Sequence, residues 1–297
     1  VVGLIVACIP AFNEERDLGP VVVKASNFVD RVIVCDDGSS DMTSEIARRL
    51  GCDLIIHKKR LGKGAALKDL FEKALDLGAN IIITLDGDGQ HHPEDIPALL
   101  DRIKNGNANI VIGSRFLKKS KDVPSYRIIG NSVMNSFTRL LSSENFGKLT
   151  DSQSGFRAYS KNVLEYVNVR EKGMGVDSEI LISASDGSFK VVEVPISVSY
   201  NGREGSTLSP VHHTLDVFYS LLRIASEQKP LLYFGLSGLI MILAGFLMGY
   251  RVLSIFLETR GIAIGSAIIS VGLIVVGFLS TTTAVVLQVL VNAKKKM

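Results

Sequence analysis

The stretch "TLDGDGQHHPEDI", residues 84–96, sets Asp86 and Asp88 one residue apart, directly after the apolar run Ile81-Ile82-Ile83. Carboxylates that close repel each other, so the pair needs a compensating charge or full solvation. An EF-hand calcium loop would add an oxygen ligand at its fifth position, a glycine at its sixth and a glutamate at its twelfth. Those positions hold Gln90, His91 and Pro97, which excludes that form. A divalent cation held by the two aspartates and completed by phosphate oxygens, as Mg²⁺ is usually bound, fits the spacing. A pair of solvated turn aspartates ahead of a helix starting at Pro93 is the plain alternative. His91 and His92 read as loop residues, because no third ligand is spaced to complete a zinc site with them. In "RLGKGAA", residues 60–66, glycine follows Lys63 where a Walker loop requires serine or threonine, and G-x-G-x-x-G is absent after the first strand.

The elements that must position the acid pair follow from the hydropathy pattern. Apolar runs "LIVACIP", "RVIVCD", "DLIIHK", "NIIITL" and "ANIVIGS" alternate with amphipathic stretches near 14–27, 41–50, 62–77 and 93–104. Short apolar runs between helices indicate an α/β domain with a mostly parallel, Rossmann-like sheet. In such sheets ligands bind at the carboxyl ends of the strands. The polar clusters fall there: Asn13-Glu14, Asp36-Asp37-Gly38-Ser39, Asp86 to Gln90, and Ser114-Arg115. The opening run "VVGLIVACIP" lacks the basic start and cleavage site of a signal peptide and reads as the first strand. Cys8, Cys35 and Cys52 have neither metal-ligand nor disulfide spacing and read as core residues in a reducing compartment.

The chain of 297 residues is 46% hydrophobic, has no tryptophan and carries a formal charge of +3, which suits an anionic membrane surface and gives no reason to expect a nucleic-acid partner. Residues 230–250 and 262–292 contain no charged side chain, and each is long enough to span a bilayer, which takes ~20 apolar residues. "RVLSIFLETRG" between them reads as a hairpin loop. Two spans return the chain to its starting side, and Lys229 with Lys294 to Lys296 places that side in the cytoplasm. Three parts are expected: a catalytic domain over 1–210, an amphipathic helix over 211–229, and a membrane hairpin with a basic tail over 230–297. The 211–228 stretch leads straight into a span and reads as lying in the membrane interface. For residues 125–142 the stripe Ile129, Val133, Phe137, Leu140 and Leu141 fits either core packing or the interface.

Six motifs, "IPAFNEE", "VCDDGSSDMT", "LGKGAA", "LDGDGQHHPEDIP", "IGSRF" and "DSQSGFRAYS", occur in an order that resembles the GT-A glycosyltransferases of the dolichol-phosphate mannose synthase and polyprenyl-phosphate glycosyltransferase type. The resemblance covers roughly residues 3–208, and membrane helices after the catalytic domain also fit it. It implies roles where residues match. Pro10, Phe12 and Glu14 would border the nucleotide, although tyrosine is frequent at the Phe12 position. Asp37 would accept a hydrogen bond from the base, Asp36 would support that turn, and Lys63 would approach the donor. Asp86, Gly87, Asp88 and Gln90 would form the metal and diphosphate site, with Asp86, Asp88 and Gln90 as ligands of Mg²⁺ or Mn²⁺. Arg115 and Arg127 would grip the acceptor phosphate, assisted by Asn131, which stands where the family can have serine. Arg203 and Ser206 resemble a loop that closes over the donor, with Thr207 in place of the usual lysine.

The implied reaction moves a sugar from a UDP- or GDP-hexose to a polyprenyl phosphate of the dolichyl type. A phosphate monoester with a second pKa near ~6 is largely dianionic at neutral pH, so no strong general base is required. Single displacement with inversion is expected, with Asp88, Arg115 and Arg127 carrying the catalytic electrostatics. A membrane-anchored transferase acting on a non-phosphate glycan or lipid-linked oligosaccharide is the enzyme alternative. A processive polysaccharide synthase is excluded, because its Q-x-x-R-W motif needs a tryptophan. A non-catalytic carrier or assembly subunit would leave the acid pair idle. Oligomer formation is compatible with all of these.

Overall fold

The computed structural model describes residues 3–117, 125–142, 149–199, 230–261 and 263–296. They fall into two compact units, one N-terminal and one comprising the apolar C-terminal helices.

In the first unit a seven-stranded sheet has the order β3-β2-β1-β4-β6-β5-β7. The strands are β1 (Ile5–Ala11), β2 (Arg31–Asp36), β3 (Asp53–Ile56), β4 (Ile81–Thr84), β5 (Ile110–Ser114), β6 (Arg157–Ser160) and β7 (Val191–Pro195). β1 pairs in parallel with β2 and β4, β2 with β3, and β5 with β7. β6 runs antiparallel between β4 and β5, with Arg157 facing Thr84 on one side and Ile112 on the other. Its entry end therefore lies at the carboxyl ends of its neighbours, and the loop before it arrives at the edge where ligands bind. The five strands expected from the sequence are present; β6 and β7 complete the sheet.

Helices α1 (Leu18–Ala25), α2 (Thr43–Arg49), α3 (Lys63–Asp76), α4 (Ile96–Lys104), α5 (Ser125–Leu141), α6 (Lys161–Tyr166) and α7 (Val176–Asp186) complete this unit. Alternate strand residues feed two apolar cores. Ile5, Ala7, Ile9, Val34 and Ile83 pack with α1 and α4, while Val6, Cys8, Ile33, Cys35 and Ile82 pack with α3, α6 and α7. Because both faces are covered, the central strands are apolar at nearly every position. Each fully buried isoleucine among them contributes about 1.5–3 kcal/mol. Cys8 and Cys35 are buried thiols, Cys52 is half-buried, and all three are free.

Helix α5 departs from the expected stripe. Val133 and Leu140 are exposed, and the face turned inward carries Met134, Asn135, Thr138 and Leu141. Its polar members have partners: Asn135 Nδ2 donates to the Thr150 carbonyl, and Thr138 and Ser178 share a hydrogen bond of 3.0 Å. Hydrogen bonding, which hydropathy does not register, selects that face.

The second unit contains a π-helical turn over Leu231–Gly235, then α8 (Leu236–Thr259) and α9 (Ile264–Lys296). Both helices are long and apolar enough to cross a membrane, at mean hydropathy 2.2 each. The expected loop over 251–261 is corrected: α8 continues through Arg251 to Thr259, and Arg260 at φ 57° ends it in a left-handed cap. One arginine does not break a helix whose neighbours keep the pattern. The helices meet along Gly238, Gly245 and Gly277, and Ser270 Oγ donates to the Gly245 carbonyl at 2.8 Å. The expected amphipathic helix over 211–229 lies outside the described residues.

Candidate active site

The carboxyl ends of β1, β2, β4 and β5 supply the polar groups. After β1, Asn13 adopts φ 56°, its backbone N–H donates to Ser39 Oγ, and its side-chain oxygen accepts from Ser40 N. These bonds join the β1 and β2 tips. Pro10 is partly exposed at the end of β1, and the Phe12 ring carries the Arg60 guanidinium 4.1 Å from its centroid. Asp36 is buried and accepts from Ser39 N at 2.8 Å and from Ser44 Oγ, which fixes its own turn.

Asp37 does something the sequence did not suggest. Its carboxylate accepts from Leu61 N and Gly62 N, both at 2.8 Å, and meets His57 Nδ1 at 2.7 Å. It organises the loop leading into α3. His57 also meets Asp69 through Nε2 at 2.9 Å. Burial works against the imidazolium, yet the two carboxylates prevail and raise the His57 pKa.

The loop held by Asp37 delivers Lys63, the first residue of α3. Gly62 at φ 104° permits the turn, and a side chain there would strike the Lys172 carbonyl. Lys63 Nζ lies 2.9 Å from Asp86 Oδ1 and 3.2 Å from Asp177 Oδ2. Burial opposes its charge, but Asp177 and Asp86 outweigh that and hold it above the usual lysine range. Gly155 closes this cluster: a Cβ there would stand 2.7 Å from Lys63 Nζ and 2.8 Å from Asp86 Oδ2.

The two acids of the pair are unequal. Asp86 is pushed down: burial acts against its charge, but Lys63, His91 and Arg115 more than compensate. Asp88 is pushed up by burial and by the charge of Asp86. Gln90 donates to Asp88 through its backbone N at 3.0 Å and through Nε2 at 2.7 Å, and so supports Asp88. Glu14 is pushed up to about 8 by burial, then by Asp88, Asp17, Asp86 and Asp41. His91 is buried, with Nδ1 3.8 Å from Asp86, and burial lowers its pKa to about 4. It is a neutral core histidine.

Among the described residues no group of three or more His, Cys, Asp or Glu is arranged to hold a metal by itself. The site nevertheless suits a divalent cation whose shell is finished by a ligand. Two half-buried aspartates share a tip, and the second of them has no ion pair among the described residues, which is the donor set Mg²⁺ or Mn²⁺ takes beside phosphates.

On the β5 side, Arg115 forks onto the fully buried Asp151, with Nε 2.7 Å from Oδ2 and Nη2 2.8 Å from Oδ1. Glu193 on β7 holds this loop by accepting from Thr150 N, Thr150 Oγ1 and Asp151 N. Arg157, wholly buried, donates to the carbonyls of Ser152, Ser154 and Asp177 at 2.7–2.8 Å. Asn131 donates to the Thr150 carbonyl at 2.6 Å, tying α5 to this loop. Arg127 lies in the first turn of α5, while Arg203 and Ser206 lie outside the described residues.

The structure thus brings together Glu14, Lys63, Asp86, Gly87, Asp88, Gln90 and Arg115. Sequence reasoning missed Asp151, Gly155, Arg157, Asp177 and Glu193. The motif "DSQSGFRAYS" contains three of these, and its order among the other motifs was their only signal.

Residues 6–167 match the profile of Glycosyl transferase family 2. The chain belongs to that family. It is 34% identical, over 74% of its length and 96% of the relative's, to UDP-N-acetylglucosamine--dolichyl-phosphate N-acetylglucosaminyltransferase of Methanococcus voltae. It is 32% identical to dolichol-phosphate mannosyltransferase of Pyrococcus furiosus, over 80% of this chain and 70% of that one. Polyprenol monophosphomannose synthase of Mycolicibacterium smegmatis is 31% identical over 64% of this chain and 75% of its own. Among solved structures, glucosyl-3-phosphoglycerate synthase from Mycobacterium tuberculosis, in complex with Mn²⁺, UDP-glucose and phosphoglyceric acid, superposes with a TM-score of 0.58 at 22% identity, over 75% of this chain and 80% of that one. The fold is therefore GT-A, and this family 2 member is a glycosyltransferase.

Proposed function

We propose that the protein is a membrane-bound, inverting glycosyltransferase that moves a sugar from a nucleoside diphosphate sugar to a polyprenyl phosphate. The observation that carries this reading is the Lys63–Asp86–Asp88 cluster at the tips of β4 and α3, beside Arg115. The names of the relatives support polyprenyl phosphates as acceptors, and the two apolar helices support a place at the membrane.

In this reading Asp86 and Asp88 would hold Mg²⁺ or Mn²⁺. The cation would supply Lewis-acid stabilisation of the charge growing on the leaving group. Lys63 adds a fixed positive charge on the same side, and Asp37 secures the loop that carries it. Gln90 orients Asp88 through two donated hydrogen bonds. Pro10, Phe12 and Glu14 border the nucleotide. Asp151 presents Arg115 in a fixed plane, and Arg115 with Arg127 draws the acceptor phosphate toward the anomeric carbon. The nucleophile is a phosphate oxygen that carries its own charge, so the chain needs no base. Arg203 and Ser206, outside the described residues, are the residues that the family resemblance assigns to the donor. The catalytic domain faces the cytoplasm, on the side of the basic tail.

The test is to incubate membranes containing the protein with a panel of labelled nucleotide sugars, with polyprenyl phosphate or the unphosphorylated polyprenol, and with or without divalent cation. Label entering the organic phase only with the phosphate and the cation is the expected result, and the product's anomeric configuration should be opposite to the donor's. Transfer to polyprenol, or retention of configuration, would refute the reading.

A further inference from the structure

The mechanism leaves one buried acid without a task. Asp177, in the first turn of α7, is 3% exposed, and its Oδ2 lies 3.2 Å from Lys63 Nζ. Its Oδ1 lies 3.9 Å from Arg157 Nη2, and its backbone carbonyl accepts from Arg157 Nη1 at 2.7 Å. A buried carboxylate needs hydrogen-bond donors or cationic partners, and among the described residues Lys63 and Arg157 are the cations beside Asp177.

Lys63 is shared. Its ammonium lies between Asp86, one of the two acids expected to take a cation, and Asp177, which lies away from that pair on α7. The root of its side chain cannot shift: Gly64 N donates to the Lys172 carbonyl at 2.9 Å, and a Cβ on Gly62 or Gly64 would lie 2.3 Å or 2.0 Å from a backbone oxygen of residues 171–172. Only the flexible end can move, and it has two carboxylates within reach. An ammonium 2.9 Å from Asp86 repels any second cation brought to the same carboxylate.

We propose that Asp177 is a positioning residue that receives the Lys63 ammonium when a divalent cation takes Asp86. The lysine is then kept beside the leaving diphosphate as a tethered counter-charge and does not compete for the acid pair. This inference rests on the metal-dependent reading above and deepens it by naming what governs cation entry. It explains why an acid on α7 is buried against the site, and why Gly155 leaves no room for a methyl group between Lys63 and Asp86.

The experiment is a titration of the purified full-length protein with Mn²⁺ alone, reading free Mn²⁺ by electron paramagnetic resonance. Removing a hydrogen-bonded charge partner shifts such an equilibrium by about tenfold or more. Lys63→Met, which removes the competitor, should bind Mn²⁺ about tenfold more tightly than the wild type. Asp177→Asn, which leaves the ammonium with Asp86 alone, should bind about tenfold more weakly. In the double variant the Asp177→Asn effect should vanish, because there is no ammonium left to relocate. A merely structural role for Asp177 would weaken binding in both backgrounds, and that result overturns the proposal. So does Asp177→Asn binding like the wild type while the wild type binds well, an outcome that leaves the metal reading intact. If no variant, Lys63→Met included, takes up Mn²⁺, the metal reading fails and this inference falls with it. Should Asp177→Asn fail to fold by its melting curve, Lys63→Met decides alone, and no tightening refutes the idea.

Discussion

Gly155→Ala tests whether the chemistry sits where the geometry places it. A Cβ at this position would stand 2.7 Å from Lys63 Nζ, 2.8 Å from Asp86 Oδ2 and 3.0 Å from Asp86 Oδ1, where ordinary contact begins at 3.4 Å. Lys63 must therefore retreat by about 0.7 Å and Asp86 by about 0.6 Å, each away from the added methyl group, which stretches their ion pair. The fold should tolerate this. Both atoms are at side-chain ends, Gly155 is not in the left-handed region, and the alanine restricts the unfolded chain, which by itself stabilises by about 0.4–1 kcal/mol. Activity should not tolerate it, because misplacing a reacting group by about 1 Å can cost 10²-fold. The expected loss is ~10- to 100-fold in kcat/KM, or about 1.4–2.8 kcal/mol of transition-state stabilisation. Transfer of labelled sugar into the organic phase measures the rate, and denaturant unfolding of the same preparation measures the fold. A variant that melts like the wild type and transfers like the wild type would show that Lys63 and Asp86 do not carry the reaction.

Three further outcomes follow from other parts of the molecule. Asp151→Asn removes the fully buried charge partner of the partly exposed Arg115, so stability should fall by about 1–3 kcal/mol by urea titration, and no measurable loss would contradict the pairing described. The His57 pKa is raised in the folded state, so its contribution is full below the unfolded value of 6.5 and is lost as pH rises through the folded value. The melting temperature of His57→Gln should accordingly trail the wild type most at pH 6 and least at pH 9, and a gap that widens with pH would refute the assignment. Gly238→Val in α8 would press a side chain onto Thr281 Oγ1 and the Gly277 carbonyl, so the helix pair should separate at lower denaturing-detergent concentration, seen as loss of energy transfer between labels on α8 and α9.

What the sequence disclosed, and what it withheld, divides by the range of the interactions involved. β1 to β5 and the helices between them were legible because hydropathy changes period at each boundary, and the acids Asp36, Asp37, Asp86 and Asp88 stand just past apolar runs. The antiparallel β6 was not, since its four residues gain their place from pairing with β4 and β5, over 40 residues away. Asp151, Asp177 and Glu193 stayed hidden for the same reason: an isolated acid carries no mark of the arginine, lysine or backbone N–H it will meet. Asp37 shows a subtler limit. Its position was identified, but its carboxylate serves Leu61 and Gly62, and which neighbour an acid turns to depends on a loop that the sequence does not draw. In α5 hydropathy did not register the hydrogen-bonded inner face, and in α8 it ended a helix too early at Arg251.

The charges around the site also bear on the choice of acceptor. Glu14, Asp86, Asp88, Asp151 and Asp177 face Lys63, Arg115 and Arg157, an excess of two acids over cations within one buried cluster. The excess falls on Glu14 and Asp88, the two of the five whose pKa values are raised, which is where a divalent cation would relieve the repulsion. Asp151 and Asp177 are held by their cationic partners, Asp86 by Lys63, and Glu14, raised to about 8, keeps its proton at neutral pH. Asp88, raised only to about 6 and so largely ionised at neutral pH, is the one carboxylate of the five left to take a proton from a hydroxyl nucleophile. A sugar hydroxyl as acceptor would need such a base. A phosphate monoester arrives already ionised and needs only the arginines that orient it. With Asp88 taken up by a cation, as proposed above, that role is unfilled, and the arrangement of charge favours a phosphate acceptor over a glycan.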